Sequence, residues 1–228
     1  MRAPAVLSAL IKSFTQWFTS KPQQIYGAGK STHVQWLVRH IEDQGIAVVH
    51  TREPGGTALG EQVRQMVLAQ PMHLKTETLL MFAARCEHVQ TVILPALEAG
   101  NWVVCDRFTD ASYAYQGGGR ELGNEAIRVL EQWVHPHLQP DRTWLFDVPL
   151  EVARARLAGT RDLDRFEKEG DAFFERTRNA YHERARQHPE RVRIVDSTQP
   201  VEAVRTILRC QAQELVIAWK GGQSPAAS

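Results

Sequence analysis

Past residue 26, short runs rich in β-branched and aromatic residues alternate with longer runs in which apolar positions recur every three or four residues. That alternation predicts parallel strands joined by crossover helices, a wound α/β fold. The strand-like runs are 47–51, 102–105, 143–146 and 192–195; the helix-like runs are about 30–44, 57–69, 76–99, 124–135, 150–158, 171–187 and 200–218. Gly45, Gly100 and Pro136 act as stops. Each strand run gives way to a polar residue: Arg52, Asp106, Asp147 or Asp196. These four would line the carboxyl edge of the sheet, where open α/β folds bind their ligands.

The first 26 residues break the pattern. Residues 5–18 space their apolar positions closer to a helix than to a strand, and 19–26 contain Pro22 and several polar groups but no β-branched apolar run. They read as an atypical N-terminal segment ahead of one domain spanning 27–218. The last residues, 219–228, rich in glycine and small polar residues at their end, read as a disordered tail.

Composition narrows the partner more than the fold. A net charge of +1 over 228 residues provides no basic stripe for nucleic acid or an anionic membrane, so a small molecule is the expected partner. Cys86, Cys105 and Cys210 show neither paired spacing nor an even count, which suits buried thiols in a reducing, cytoplasmic setting. Residues 3–10 are too short and too interrupted for an export signal, and no run is long enough to span a bilayer.

Gly27-Ala28-Gly29-Lys30-Ser31-Thr32, opening the helix-like run at 33–41, is the second half of a phosphate-binding P-loop. Backbone N–H groups and the positive helix end would cradle phosphates, Lys30 would bridge the outer ones, and the Ser31 hydroxyl would hold Mg²⁺. The full pattern asks for glycine at position 24, where the chain has Gln24. Further on, Phe82 and Arg85 lie three apart and share a helix face. Asp106-Arg107 leaves a strand end, where a carboxylate can serve a metal and a guanidinium can clamp phosphate.

Six segments in order, GAGKST (27–32), REPGGT (52–57), MFAAR (81–85), CDRF (105–108), AYQGGGR (114–120) and LDRFE (163–167), closely resemble bacterial thymidylate kinase. The resemblance covers about residues 27–200. It implies a P-loop nucleoside monophosphate kinase fold, with a parallel sheet flanked by helices, that phosphorylates dTMP with ATP and Mg²⁺, and a homodimer. It assigns ATP to Gly27, Ala28, Gly29, Lys30, Ser31 and Thr32, and the metal to Ser31 and Asp106. The acceptor falls to Arg52, Glu53, Pro54, Phe82, Arg85, Arg107, Ser112, Tyr115 and Gln116, with a cis bond at Glu53-Pro54, Met81 beside the stacking wall, and Glu167 fastening the closed lid. The mobile lid corresponds to about 157–169, and Arg156, Arg161 and Arg165 join Lys30 and Arg107 as catalytic cations. Gly117, Gly118 and Gly119 would give the loop after Gln116 its freedom.

The N-terminus departs from the family. Gln24 replaces a glycine, Tyr26 stands where an acid is expected, and the strand feeding the loop is missing from the pattern. Two explanations stay open: an altered segment upstream of residue 27, or a diverged homologue that binds dTMP through an intact site but carries a damaged donor loop.

Overall fold

The structure, a computed structural model, describes residues 11–16, 30–157 and 169–222. Among these, β1 (Ile11–Gln16), β2 (Val48–Arg52), β3 (Trp102–Asp106), β4 (Arg142–Asp147) and β5 (Val192–Asp196) form one sheet in the order β2-β3-β1-β4-β5. Every neighbouring pair is parallel. Strands β2 to β5 fall within a residue of the runs read from the sequence, and Arg52, Asp106, Asp147 and Asp196 end them on one edge.

The centre of the sheet corrects the sequence reading. Residues 11–16, expected to be helical, are the middle strand, with Ser13 beside Cys105 on one side and Thr143 on the other. Strands flanked on both sides need a partner for every backbone N–H and C=O, and this ladder outweighs the weak local preference of Ile-Lys-Ser-Phe-Thr-Gln. Residues 17–26 and the first half of the phosphate loop lie outside the described residues.

Helices cover both faces. On one, α1 (Lys30–Glu42) and α9 (Val201–Gly222) pack Leu37, Ile41, Leu208 and Ala212 on Trp102, Val104, Trp144 and Phe146. On the other lie α3 (Leu74–His88), a π-helical turn (Val89–Ile93) and α4 (Leu94–Glu98), with Val89 and Ile93 against Val103 and Cys105. Trp102, Val103, Val104 and Cys105 are thus all buried, alternating between the two faces, as expected of an interior parallel strand. Each large apolar side chain so buried contributes about 1.5–3 kcal/mol.

The remaining helices are α2 (Ala58–Ala69), α5 (Thr109–Ser112) continuing into a second π-helical stretch (Tyr113–Gly119), α6 (Asn124–Val134), α7 (Leu150–Leu157) and α8 (Asp171–Gln187). Helix α9 runs on to Gly222, so 219–222 are helical rather than part of a loose tail. No helix of the described residues is long and apolar enough to cross a membrane.

Candidate active site at the carboxyl edge

The segment after β2 folds as a tight turn because of what surrounds Gly56. Its φ is +78°, and a Cβ there would stand 2.5 Å from Thr51 Oγ1 and 2.6 Å from His88 Nε2, so only glycine fits. The Glu53-Pro54 bond is cis, as the resemblance implied. Thr57 then caps α2, its hydroxyl accepting from Gly60 N at 2.9 Å.

This turn delivers Glu53 into the interior, where it is buried. Arg85 Nε donates to Glu53 Oε2 at 2.7 Å, and His88 Nδ1 lies 2.9 Å from Oε1. Burial alone would raise the Glu53 pKa, but the Arg85 charge and the His88 hydrogen bond together hold it below the usual carboxylate range. Glu53, His88 and Cys105 form the one group of potential metal ligands within 4.8 Å of each other among the described residues. Both Glu53 oxygens are taken, His88 Nε2 meets Thr51 Oγ1 at 2.6 Å, and Cys105 Sγ donates to Arg107 O at 2.9 Å. These contacts make the group a closed brace that fixes Arg85 in place.

The Arg85 guanidinium lies 4.6 Å over the Phe82 ring and 5.4 Å over Phe108. Phe82 also packs with Tyr113 and Ile127, so it is core as well as platform. Met81, expected beside the base, packs instead with Val63, Val67 and Ala84. Arg85 Nη1 is buried and makes no hydrogen bond. So are Ser112 Oγ on α5 and Gln116 Oε1 on the π-helical stretch. Buried polar atoms without partners are costly and uncommon, and these three belong to residues the resemblance assigned to one ligand.

Gln116 is held from its other end, Nε2 donating to the buried Glu77 at 2.9 Å. Tyr115 is half-buried and meets Phe173 and Tyr181 edge-on at 6.1 and 6.2 Å. The three glycines that follow do not free a loop. None has positive φ, and a Cβ on Gly118 or Gly119 would come within 2.5 Å of Ala180 Cβ or 2.2 Å of Thr177 Oγ1. They allow the π-helical stretch to press against α8, where Arg176 donates twice to Gly119 O, at 2.9 and 3.1 Å.

Beside this pocket three arginines crowd together. Arg52 donates to Glu61 at 2.8 Å, and Arg107 holds its backbone at φ +68°, a region that non-glycine residues seldom occupy. Arg64, which the sequence reading did not single out, donates to Pro54 O at 3.2 Å. Burial, with the Arg107 and Arg52 charges close by, pushes its pKa down to about 10, so it remains charged at neutral pH. Like charges kept this close favour a bound anion. Asp106 ends β3 next to them, and Glu53 N donates to its backbone oxygen at 2.9 Å.

Helix α1 begins at Lys30, with Ser31 and Thr32 in its first turn and no acidic residue in that turn to offset its positive end. Gly27, Ala28, Gly29, Arg161, Arg165 and Glu167 lie outside the described residues, and Arg156 is described only as backbone of α7. At the end of the segment expected to form the lid, Arg120 Nη1 pairs with Glu169 at 2.5 Å. Of the cysteines, only Cys105 is buried; Cys86 and Cys210 are exposed, contrary to expectation.

Known proteins match this chain over most of its length. The thymidylate kinase family model matches residues 25–207. The thymidylate kinase of Bordetella pertussis is 68% identical over 190 residues, covering 83% of this chain and 91% of that protein. That of Janthinobacterium sp. is 57% identical over 185 residues, covering 81% and 91%. The crystal structure of thymidylate kinase from Ehrlichia chaffeensis superposes with a TM-score of 0.68 at 29% identity, covering 90% of this chain and 98% of that one. From the carboxyl-edge arginines to the family model spanning most of its length, the chain belongs to the thymidylate kinase family.

Proposed function

We propose that the protein transfers the γ-phosphoryl group of ATP to dTMP, giving dTDP and ADP. The observation that carries this reading is that Arg85 Nη1, Gln116 Oε1 and Ser112 Oγ are buried polar atoms without partners, with Arg52, Arg64 and Arg107 clustered nearby. A nucleobase and sugar would satisfy the first set and a phosphate the second. Arg107 would clamp the acceptor phosphate, Lys30 would bridge the donor phosphates, and Arg156, Arg161 and Arg165 would close over them, placing cations where charge accumulates during transfer. Glu167 would fasten the lid over the acceptor.

The hydroxyl of Ser31 and the carboxylate of Asp106 are hard oxygen donors of the kind Mg²⁺ takes. When bound, the ion would neutralise charge on the phosphate oxygens. Alignment and exclusion of water are left to the protein, and the cytoplasmic setting goes with cysteines that form no disulfide.

The working unit is read as a homodimer. Leu59 on α2, Leu79 on α3, and Val129 and Trp133 on α6 are exposed apolar side chains on helices that contact one another in sequence, and Trp133 is 80% exposed. An apolar face of this kind suits a second copy.

A second reading, a dTMP-binding homologue with an impaired donor loop, is favoured by Gln24 and Tyr26. One assay separates the two. ATP, Mg²⁺ and a panel of nucleoside monophosphates are incubated with the protein and with Lys30→Ala. Selective dTDP formation that Lys30→Ala abolishes, with dTMP binding kept, supports the kinase. Binding of dTMP with no product supports the impaired homologue.

A further inference from the structure

Glu77 has no part in the phosphate chemistry above, yet it is a carboxyl group exposed by only 1% on the wall of the pocket. We propose that Glu77 is a positioning residue that fixes which end of the Gln116 carboxamide faces the acceptor base, and so makes the site select a pyrimidine carrying hydrogen on N3. The inference rests on the reading of Gln116 as a base contact.

A carboxamide has two ends of nearly equal shape and opposite hydrogen-bonding character. Left to itself, Gln116 could offer the base either an acceptor or a donor. Glu77 removes that freedom. One of its oxygens accepts from Gln116 Nε2 at 2.9 Å, and the other faces Arg120 Nη2 at 3.8 Å, so both ends of the carboxylate look onto donors. Only the amide's NH₂ end can meet it. The opposite end, Oε1, is left buried and without a partner.

Arg85 Nη1 is also buried and without a partner, and a guanidinium can only donate. Arg85 and Gln116 therefore present one donor and one acceptor. Thymine and uracil offer the complement, a carbonyl at C4 and a hydrogen on N3. Cytosine offers an amino group at C4 and a bare N3 and is mismatched at both. Arg85 cannot reverse its character, but a carboxamide can turn over. Glu77 supplies the half of the discrimination that would otherwise be soft.

The test compares kcat/KM for dTMP, dUMP and dCMP in the unaltered protein, Glu77→Gln and Glu77→Asp. Glutamine at 77 can donate as well as accept, so the preference for dTMP over dCMP is expected to fall at least about tenfold, the scale of one buried hydrogen bond. The preference for dTMP over dUMP, which differ only at C5, stays within about twofold, whereas a general loosening of the pocket would move both ratios together. Glu77→Asp keeps an acceptor-only group and retains the dCMP ratio even where overall binding weakens. An unchanged dCMP ratio in Glu77→Gln, or an equal fall in both ratios, overturns the role of Glu77. Should Glu77→Gln not fold, the N3-methyl analogue of dTMP decides on the unaltered protein. It keeps both carbonyls and replaces only the N3 hydrogen, so a loss of roughly tenfold or more supports the acceptor orientation of Gln116, and equal use overturns it. Failure of the unaltered protein to use dTMP defeats the acceptor reading itself, and this inference with it.

Discussion

Two clusters of buried charge flank the short helix α5, and they differ in one respect. Toward α8, Asp110 accepts from Arg184 Nε at 3.0 Å, from Arg191 at 2.6 and 2.8 Å, and from Thr143 Oγ1 at 3.0 Å. Both of its oxygens are used, and the Arg184 guanidinium lies 4.1 Å over the Tyr113 ring. Toward α3, the Glu53 and Arg85 pair is just as buried, but Arg85 keeps a free nitrogen and its neighbours Ser112 and Gln116 keep free oxygens. A buried ion pair therefore does not by itself mark a binding site; here the residues assigned to the acceptor are the ones with hydrogen-bonding capacity left over.

The sharpest contrast is between Asp110 and Ser112, two residues apart on α5 and both buried. Asp110→Ala leaves Arg184 and Arg191 facing each other without their carboxylate, and urea unfolding at pH 7 should show a loss of about 3–5 kcal/mol. A loss below about 1 kcal/mol would break the distinction between the two clusters. Arg64→Met comes next. It removes one of three crowded charges, so kcat/KM for dTMP should fall about tenfold or more, a charge-assisted hydrogen bond being worth about 1.5–3 kcal/mol. Unchanged kinetics would remove Arg64 from the phosphate site. Ser112→Ala deletes a hydroxyl that bonds to nothing in the protein, so its unfolding midpoint should move by less than about 0.5 kcal/mol. Its KM for dTMP should rise about fivefold, the worth of one neutral hydrogen bond.

The smallest effect is a pH slope common to both sides. Burial, with the charges of Arg205, Arg85 and Arg184 as second causes, holds His33, His135 and His188 below the ordinary histidine value. The unfolded chain then takes up protons near pH 6.5 that the folded one refuses, so stability should decline gently as pH falls from 7 to 5.5. Glu53, Asp110 and Asp147 lie below the usual carboxylate range. Their contribution is fully present above pH 5 and is lost only as the solution becomes acid enough to protonate them in the folded state, so thermal melts should steepen their decline below about pH 4. A flat profile between pH 7 and 5.5 would contradict the histidine assignment.

Strands β2 to β5 were legible because β-branched runs broken by a polar residue have few alternative readings. The phosphate-loop motif and Arg85 stand out as candidates because local motif and spacing carry them, and Gln116 because the family resemblance does. Strand β1 was not, since Lys12, Ser13 and Gln16 give no strand signal and its conformation is imposed by β3 and β4. Glu77, Arg64 and Asp110 were missed because their meaning lies in partners far along the chain, as when Asp110 meets Arg191. The run of glycines misled for a related reason: its purpose is the close approach of α8, which arrives more than fifty residues later.

The middle strand has a consequence for how the molecule is made. Residues near the start of the chain, such as Ser13, must wait on the ribosome for Cys105 and then Thr143 before their backbone groups are paired. Until then the inner edges of β3 and β4 stay open, and contacts this distant in sequence are slow to close. The earliest synthesised part of the sheet is thus among the last to be locked in, and it is the piece that joins the half ending in Arg52 and Asp106 to the half bearing α7 and α8.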